Sequence, residues 1–479
     1  MSYNSYIRFP RLMNLGHSER ILYLLFLAIL LFYLQVDANY FGTNSKKDDQ
    51  CFCKLKGYID DCTCNVDTVD YFNNMRIYPR IQSLLVRDYF RFYKVNLNQN
   101  CPFWADDSKC AIRYCHVLPC QDNDIPEGLK GEIPRDIHFN ESPVDKYKSN
   151  AQIADCSKDH NMELGFLNTT ISSENYKEFE RWQRHDDAQD NFCVKESNPG
   201  EYVDLLLNPE RYTGYKGTSA HRIWRSIYME NCFRPENSPQ IFIPSSKINR
   251  MCLEKRVFYR VISGLHASIN IHLCSKYLLA PQDGLQVSSD NQWGPNLEEL
   301  QRRFSSETTG DEGPNWLKNL YFTYLLQLRA LAKAAPYLER EEYYTGNEID
   351  DEDTRLAMND ILNVIKSFQE HFNETVMFTG TEAQLLKEEF RQHFRNISRI
   401  MDCVGCDKCK LWGKLQIHGL GTALKILFSG KFDRWKPTLN NFNRKVFFLE
   451  RSEIVALVNA FGRLSESIFE LDRFRRMMR

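Results

Sequence analysis

Sixteen cysteines spread over 479 residues constrain this chain more than any other feature. So many thiols are a liability in a glutathione-reduced cytosol and are at home in an oxidising compartment. The N-terminus points the same way. Ile21 to Leu34 is an unbroken run of fourteen apolar or aromatic residues, preceded by Arg8, Arg11 and Arg20. A spanning helix needs about 18 or more apolar residues and a secretory h-region about 7–15, so the run reads as a signal peptide. Val36 and Ala38 supply the small-residue cleavage pattern, giving a leader over 1–38 and a mature chain over 39–479. An uncleaved signal anchor, the rival reading, delivers the chain to the same pathway. Sequons at Asn168, Asn373 and Asn396 offer glycan acceptors, whereas Asn140-Glu-Ser is followed by Pro143 and is poorer. The chain ends Arg475-Arg-Met-Met-Arg479, with no Lys-Asp-Glu-Leu-type signal, so retention in the endoplasmic reticulum needs another means.

Charge and motifs exclude two classes. The 61 basic and 63 acidic side chains leave a formal charge of -2 and no electrostatic footprint for nucleic acid. Neither a Gly-x-Ser-x-Gly elbow nor a zincin motif is present, which argues against a hydrolase.

Apolar periodicity predicts a mainly α-helical domain with long, disulfide-tied loops. Phe258, Ile262, Leu265, Ile269 and Leu273 recur at helical spacing within Cys252 to Leu279. Leu317 to Leu338, Leu356 to Phe372, Ala383 to Ile400, Gly421 to Phe428 and Glu453 to Phe474 follow the same rule. Strand signals are scarce and no βαβ unit appears. The proline-bearing stretch from Gln121 to Asn150 reads as a surface loop, and the acidic run Glu348 to Asp353 as a solvated one. Near the N-terminus Cys51-Phe-Cys53 mirrors Cys62-Thr-Cys64 around a turn containing Gly57, so nested pairs Cys51–Cys64 and Cys53–Cys62 would staple a hairpin over 51–64.

The densest local signal is Cys403-Val-Gly-Cys406-Asp-Lys-Cys409. A cubane cluster would continue to a fourth cysteine followed by proline, but position 413 is Gly. A zinc site wants a second pair of matching spacing, and the Cys51 group is spaced otherwise, so no metal is expected. A redox-active Cys406-x-x-Cys409 pair is the third reading: a helix N-terminus following it would stabilise the thiolate. Cys101, Cys110, Cys115 and Cys120 form a second group in a polar stretch, with Cys110 and Cys115 enclosing a short loop that an incoming thiolate could reach; structural staples remain the alternative. No thioredoxin-like frame surrounds either group. A protein that creates disulfides rather than shuffling them needs an electron acceptor.

Gly419-Leu-Gly421-Thr-Ala-Leu424 only approaches a dinucleotide fingerprint and has no strand before it. Arg211-Tyr-Thr213-Gly-Tyr-Lys216 offers a guanidinium and a hydroxyl to a pyrophosphate, Trp224 a stacking surface, and Ser263 and His266, three apart, a shared helix face.

Four long motifs make the chain recognisable: Cys51 to Cys64, Leu207-Asn-Pro-Glu-Arg-Tyr-Thr-Gly-Tyr-Lys-Gly217, Ile262-Ser-Gly-Leu-His-Ala-Ser-Ile-Asn270, and Met401-Asp-Cys-Val-Gly-Cys-Asp-Lys-Cys-Lys-Leu-Trp-Gly-Lys414. In this order they closely resemble the endoplasmic oxidoreductin family, from about Cys51 to Arg473. The resemblance implies a non-Rossmann, FAD-dependent thiol oxidase of the endoplasmic reticulum lumen, peripheral on the membrane face, that makes disulfides and passes them to protein disulfide isomerase. Cys110 and Cys115 look like the outer, shuttle pair and Cys406 and Cys409 like the inner pair beside FAD, with molecular oxygen reduced to hydrogen peroxide. Arg211, Thr213, Trp224, Ser263, His266 and Arg303 match the family's FAD contacts. One position departs: Gly313-Pro-Asn-Trp316 lacks the family's second arginine, with Lys318 near it in sequence. Structural bonds Cys101–Cys403 and Cys232–Cys252 are also implied, as is a regulatory state with Cys110–Cys156 and Cys115–Cys120. Cys193 is left free and Cys274 reads as an inert core thiol. The rival from another class is a secreted, disulfide-rich binding protein whose cysteines are all structural; a degenerate family member, favoured only by Trp316, is a third reading.

Overall fold

The computed structural model describes residues 57–58, 65–101, 103, 115–130, 192, 200–215, 218–233, 245–248, 250–277, 294–368, 372–428 and 449–478. The chain divides into two compact units, Met1–Gln50 and Cys51–Arg479, and all of these residues fall in the second. The expected leader, Cys51 to Cys64 apart from Gly57–Tyr58, Cys110, Cys156, Asn168 and Cys193 lie outside the described residues.

Helix predominates, as the periodicity predicts. In chain order the helices are α1 (Val66–Phe72), α2 (Tyr78–Leu85), α3 (Asp88–Arg91), α4 (Thr218–Glu230), α5 (Ser245–Ile248), α6 (Leu253–His272), α7 (Leu297–Phe304), α8 (Ser306–Thr309), α9 (Glu312–Leu338), α10 (Glu348–Lys366), α11 (Ala383–Ile400), α12 (Asp407–Phe428) and α13 (Arg451–Met478). The strands are short: β1 (Gly57–Tyr58), β2 (Phe92–Val95), β3 (Glu201–Asp204) and β4 (Phe372–Asn373). β2 and β3 are antiparallel with Phe92 opposite Asp204, whereas β1 and β4 are parallel with Gly57 opposite Phe372.

The core is a bundle of α6, α9, α12 and α13. α12 is apolar on every side, with Leu411, Leu415, Ile417, Ala423 and Ile426 all fully buried, so it must sit at the centre. Each such side chain contributes about 1.5–3 kcal/mol on leaving water. Close approach is achieved with glycine: a Cβ on Gly419 would fall 2.5 Å from Ala460 Cβ of α13, and one on Gly264 would fall 2.8 Å from Thr323 Cβ of α9. Gly419 thus serves helix packing rather than a phosphate loop. Charges carried by α12 into the core are paired, Lys425 with Glu453 at 2.7 Å and Lys414 with Asp402 at 2.6 Å. A π-turn, Asn73–Ile77, joins α1 to α2 and docks them on α13: the Asn73 amide donates to Ser465 O at 2.9 Å and its oxygen accepts from Ser465 Oγ at 2.6 Å.

Several expectations need correction. The run Glu348 to Asp353 is not a loop but opens α10, where Asn347 caps Asp350 N and acidic residues in the first turn oppose the positive end of the helix dipole. Gly57 lies in a strand rather than a turn. α12 begins at Asp407, well before Gly421, because burial all round erases the amphipathic stripe that periodicity detects. No helix among the described residues is long and apolar enough to cross a membrane.

Candidate functional site

The site begins where α11 ends. A short 3₁₀ turn, Met401–Cys403, is followed by Val404 in an extended conformation, which re-aims the chain so that α12 can start at Asp407. The Cys406 carbonyl accepts from Lys410 N at 2.8 Å, placing Cys406 at the N-cap and Cys409 three positions into the helix. The C-x-x-C spacing therefore brings the two Cα atoms to 5.1 Å and joins the sulfurs. Cys409 N donates to Cys406 Sγ at 3.3 Å, the place a serine oxygen fills in an ordinary cap. Cys403 faces away and is bonded to Cys101, with Cα atoms 4.4 Å apart and 302 residues between them.

Cys115 arrives from an irregular segment. Its carbonyl accepts from Lys408 N at 3.1 Å, in the first turn of α12, and its Cα lies 5.9 Å from that of Cys406. The sulfurs of Cys115 and Cys409 both lie against that of Cys406, with Cα separations of 5.9 and 5.1 Å. One sulfur carries one disulfide, so the three are placed where either neighbour could pair with Cys406. Beyond Cys115 the segment is tied to β3: Pro119 bridges Val203, Cys120 N donates to Tyr202 O at 2.8 Å, and the Asn208 amide both donates to Leu118 O at 3.0 Å and accepts from Leu118 N at 2.8 Å. His116 is solvent-exposed, with Nδ1 3.3 Å from Asp407 Oδ2. Cys120 is a free thiol pushed up to about 11 by burial and then by Asp204 and Asp124, so at neutral pH it stays protonated.

Behind the inner pair lies the segment carrying Arg211. Its carbonyl oxygen touches Cys409 Sγ and lies 3.5 Å from Cys406 Sγ. Thr213 lies in the 3₁₀ turn Tyr212–Tyr215 that follows. The Tyr215 hydroxyl reaches the Cys409 carbonyl at 3.4 Å, its ring centroid is 6.2 Å from that of Trp224 on α4, and Trp224 stacks on His266 of α6 at 3.7 Å. The cysteines and the aromatic pair thus form one continuous cluster. Ser263, one turn from His266, accepts from the Asn319 amide at 3.0 Å; Arg303 of α7 contacts Asn270 and Glu299. Burial, then the Arg303 charge, lowers His266 to about 3, so its ring is neutral and can stack or share a hydrogen bond with Tyr228 at 3.2 Å. A flat indole, a neutral imidazole, a hydroxyl and two guanidiniums suit a planar heteroaromatic that carries phosphates. Trp316 packs against the core from the first turn of α9. Glu210, next to Arg211, anchors this wall by ion pairs to Arg463 at 2.7 Å and Lys276 at 3.9 Å, with His272, whose pKa burial lowers, beside it as a neutral ring.

Other predicted residues fall elsewhere. Cys232 is buried just beyond α4, and Cys252 is exposed at the N-cap of α6. Cys274 is fully buried and pushed up to about 12 by burial, an unreactive thiol. Asn373 is in β4 and Asn396 is in α11. Three contributors escape sequence reasoning: Tyr215, Asn208 and Trp412, whose indole donates to Asn208 O at 2.9 Å. Each acts through backbone atoms distant in sequence, and no local pattern announces that.

The family model for Endoplasmic Reticulum Oxidoreductin 1 matches residues 76–471. The chain is similar to an Ero1-like protein of Drosophila melanogaster, 53% identical over 475 residues and covering 95% of this chain and 96% of that one. It is 49% identical over 451 residues to an ERO1-like protein alpha of Homo sapiens, covering 90% and 92%. A mutant of S. cerevisiae Ero1p shares the fold with a TM-score of 0.53 at 28% identity, covering 86% of this chain and 98% of that one. A further Ero1p structure, described as the source of disulfide bonds for oxidative protein folding in the cell, gives a TM-score of 0.53 at 26% identity over the same shares.

Proposed function

Because this chain belongs to the Endoplasmic Reticulum Oxidoreductin 1 family, a family of oxidoreductases in oxidative protein folding, we propose that it is an FAD-dependent sulfhydryl oxidase of the endoplasmic reticulum lumen. Its substrate is the reduced active-site dithiol of protein disulfide isomerase. The single observation that carries the reading is that Cys115, remote in sequence, is brought beside the Cys406-x-x-Cys409 pair, its Cα 5.9 Å from that of Cys406.

The disulfide Cys110–Cys115 is attacked by a substrate thiolate and leaves as two thiols while the substrate gains a disulfide. The Cys115 thiolate then attacks Cys406, releasing Cys409 as a thiolate; Cys110 attacks Cys115, restoring the outer disulfide and leaving the inner pair as a dithiol. Two electrons and two protons move inward in each cycle. The N-terminus of α12 stabilises the thiolate that leaves. Arg211, Thr213, Trp224, Ser263, His266 and Arg303 would hold FAD, the guanidiniums offering charge for phosphates and the rings flat surfaces for stacking. When bound, FAD supplies the two-electron acceptor that hands electrons to molecular oxygen, giving hydrogen peroxide. Cys115 is 4% exposed and Cys406 and Cys409 are fully buried, so a bulky protein substrate cannot reach the inner pair and a shuttle is required. The lumenal chain associates peripherally with the membrane.

The test is a visible absorbance spectrum of the purified chain, followed by oxygen uptake on adding reduced protein disulfide isomerase. A flavin spectrum, with uptake lost in Cys406→Ala, is the expected result. A colourless, folded chain that takes up no oxygen would leave the disulfide-rich binding protein in its place.

A further inference from the structure

The sequence argument against a metal concerned Cys403, Cys406 and Cys409, but the fold assembles a different trio. Cys403 is engaged by Cys101, and Cys115 takes its position beside the inner pair. The sulfurs of Cys115, Cys406 and Cys409 all lie within 4.8 Å of one another, and all three residues are buried. Two of those separations are disulfide contacts. Once they are reduced, Cα spacings of 5.1 Å (Cys406–Cys409) and 5.9 Å (Cys115–Cys406) let side-chain rotation spread the sulfurs to about 3.8 Å. At that spacing a tetrahedral zinc-class ion, with metal–sulfur bonds of about 2.3 Å, holds its thiolates. Negative charge is supported there by the 22-residue α12, whose N-terminus faces the trio and whose Cys409 N–H already points at Cys406 Sγ. A cavity of about 300 Å³, lined by Val117 and Asp407 among others, opens beside the Cys115 segment.

We propose that when the outer and inner pairs are both reduced, Cys115, Cys406 and Cys409 form a three-thiolate site that takes one thiophilic divalent cation of the zinc class and holds the relay shut. The metal displaces three thiol protons and forms three metal–sulfur bonds, leaving the fourth position to water; no electrons move. In the oxidised chain the sulfurs are committed to disulfides and have no thiolate to give, so occupancy follows the reduced state. Binding needs only the geometry of the trio, whereas the shut-off rests on the oxidase reading.

The full chain is reduced with a limiting amount of a phosphine under argon, desalted and titrated with cobalt(II) as the spectroscopic probe. Expected are one cobalt per chain, a thiolate-to-metal charge-transfer band and the visible bands of a tetrahedral ion. Both are lost in Cys115→Ser and kept in Cys120→Ser and Cys274→Ser. An unchanged spectrum in Cys115→Ser, or an equal one from the oxidised chain, overturns the proposal. Should the variant fail to fold, the unaltered chain decides: zinc added before an alkylating agent must protect Cys115, Cys406 and Cys409 together, as read by mass spectrometry, and unprotected sulfurs overturn the proposal equally. Oxygen uptake measured with chelator separates the two readings. A chain that binds cobalt in this way yet takes up no oxygen sinks the oxidase alone, and one that takes up oxygen without binding cobalt sinks the metal site alone.

Discussion

The two sides of the Cys115–Cys406 junction are built in opposite ways. Cys406 and Cys409 stand at the head of a helix buried on all sides, so their sulfurs are fixed by the packing of the whole bundle. Cys115 sits on a segment with no regular structure, held by a handful of hydrogen bonds and one β-bridge, with His116 and Leu118 turned to solvent. The proposed oxidase would use that asymmetry. Its acceptor side would hold geometry against the flavin, and its donor side would let go to meet a substrate.

Four experiments break or sharpen the contrast. On the rigid side, Lys414→Met strips the ammonium from buried Asp402, 2.6 Å away beneath α12. Chemical denaturation should show a loss of about 3–5 kcal/mol. On the tethered side, Asn208→Ala removes a fully buried amide that clamps Leu118 from both directions. Stability should drop by about 1–3 kcal/mol, and hydrogen exchange at residues 116–120 should rise more than anywhere in α12; a uniform rise would erase the distinction.

The aromatic bed behind the inner pair makes a third test through pH. Burial holds His266 at about 3 when folded against an ordinary 6.5. As pH falls below 6.5 the unfolded chain takes up a proton that the folded chain refuses, so this part of the stability is complete above pH 6.5 and is lost toward pH 3. Its slope is about 1.4 kcal/mol per pH unit. Asp70 runs the other way: burial raises its carboxyl to about 6 from 3.8, so its penalty at neutral pH is relieved as pH falls through 6. His266→Asn should remove the first slope and keep the second in denaturation curves taken between pH 6.5 and 4.5. The smallest effect belongs to His116→Ala. The Asp407 contact is exposed, and surface pairs contribute little, so thermal melting should not move while exchange kinetics at Cys115 report any guiding role.

The helices were legible where one face is apolar and the other polar. Ala383 to Ile400 is read from its periodicity to the residue, and α6 and α9 to within a few residues at one end. Legibility failed at both extremes of burial. α12 is apolar all round and hid its first turns, while Glu348 to Asp353 looked like a solvated loop because a helix N-terminus prefers acids. In the site, the Cys406-x-x-Cys409 spacing announced itself because both cysteines ride one helical turn. That Cys115 meets Cys406 across 291 residues could not be read from spacing, since loop closure over such a distance leaves no periodic trace.

The bond from Cys101 to Cys403 also sets a schedule. A ribosome adding about 5–20 residues per second needs roughly 15–60 seconds to travel from the first of these cysteines to the second. Through that interval Cys101 is without the partner it will take, open to whatever thiols and disulfides surround it. The helix that heads the Cys406–Cys409 pair does not exist until the last fifth of the chain is made. A truncated or stalled chain would therefore carry the shuttle cysteine without the machinery that disciplines it. Quality control of this protein must be strictest just before its synthesis ends.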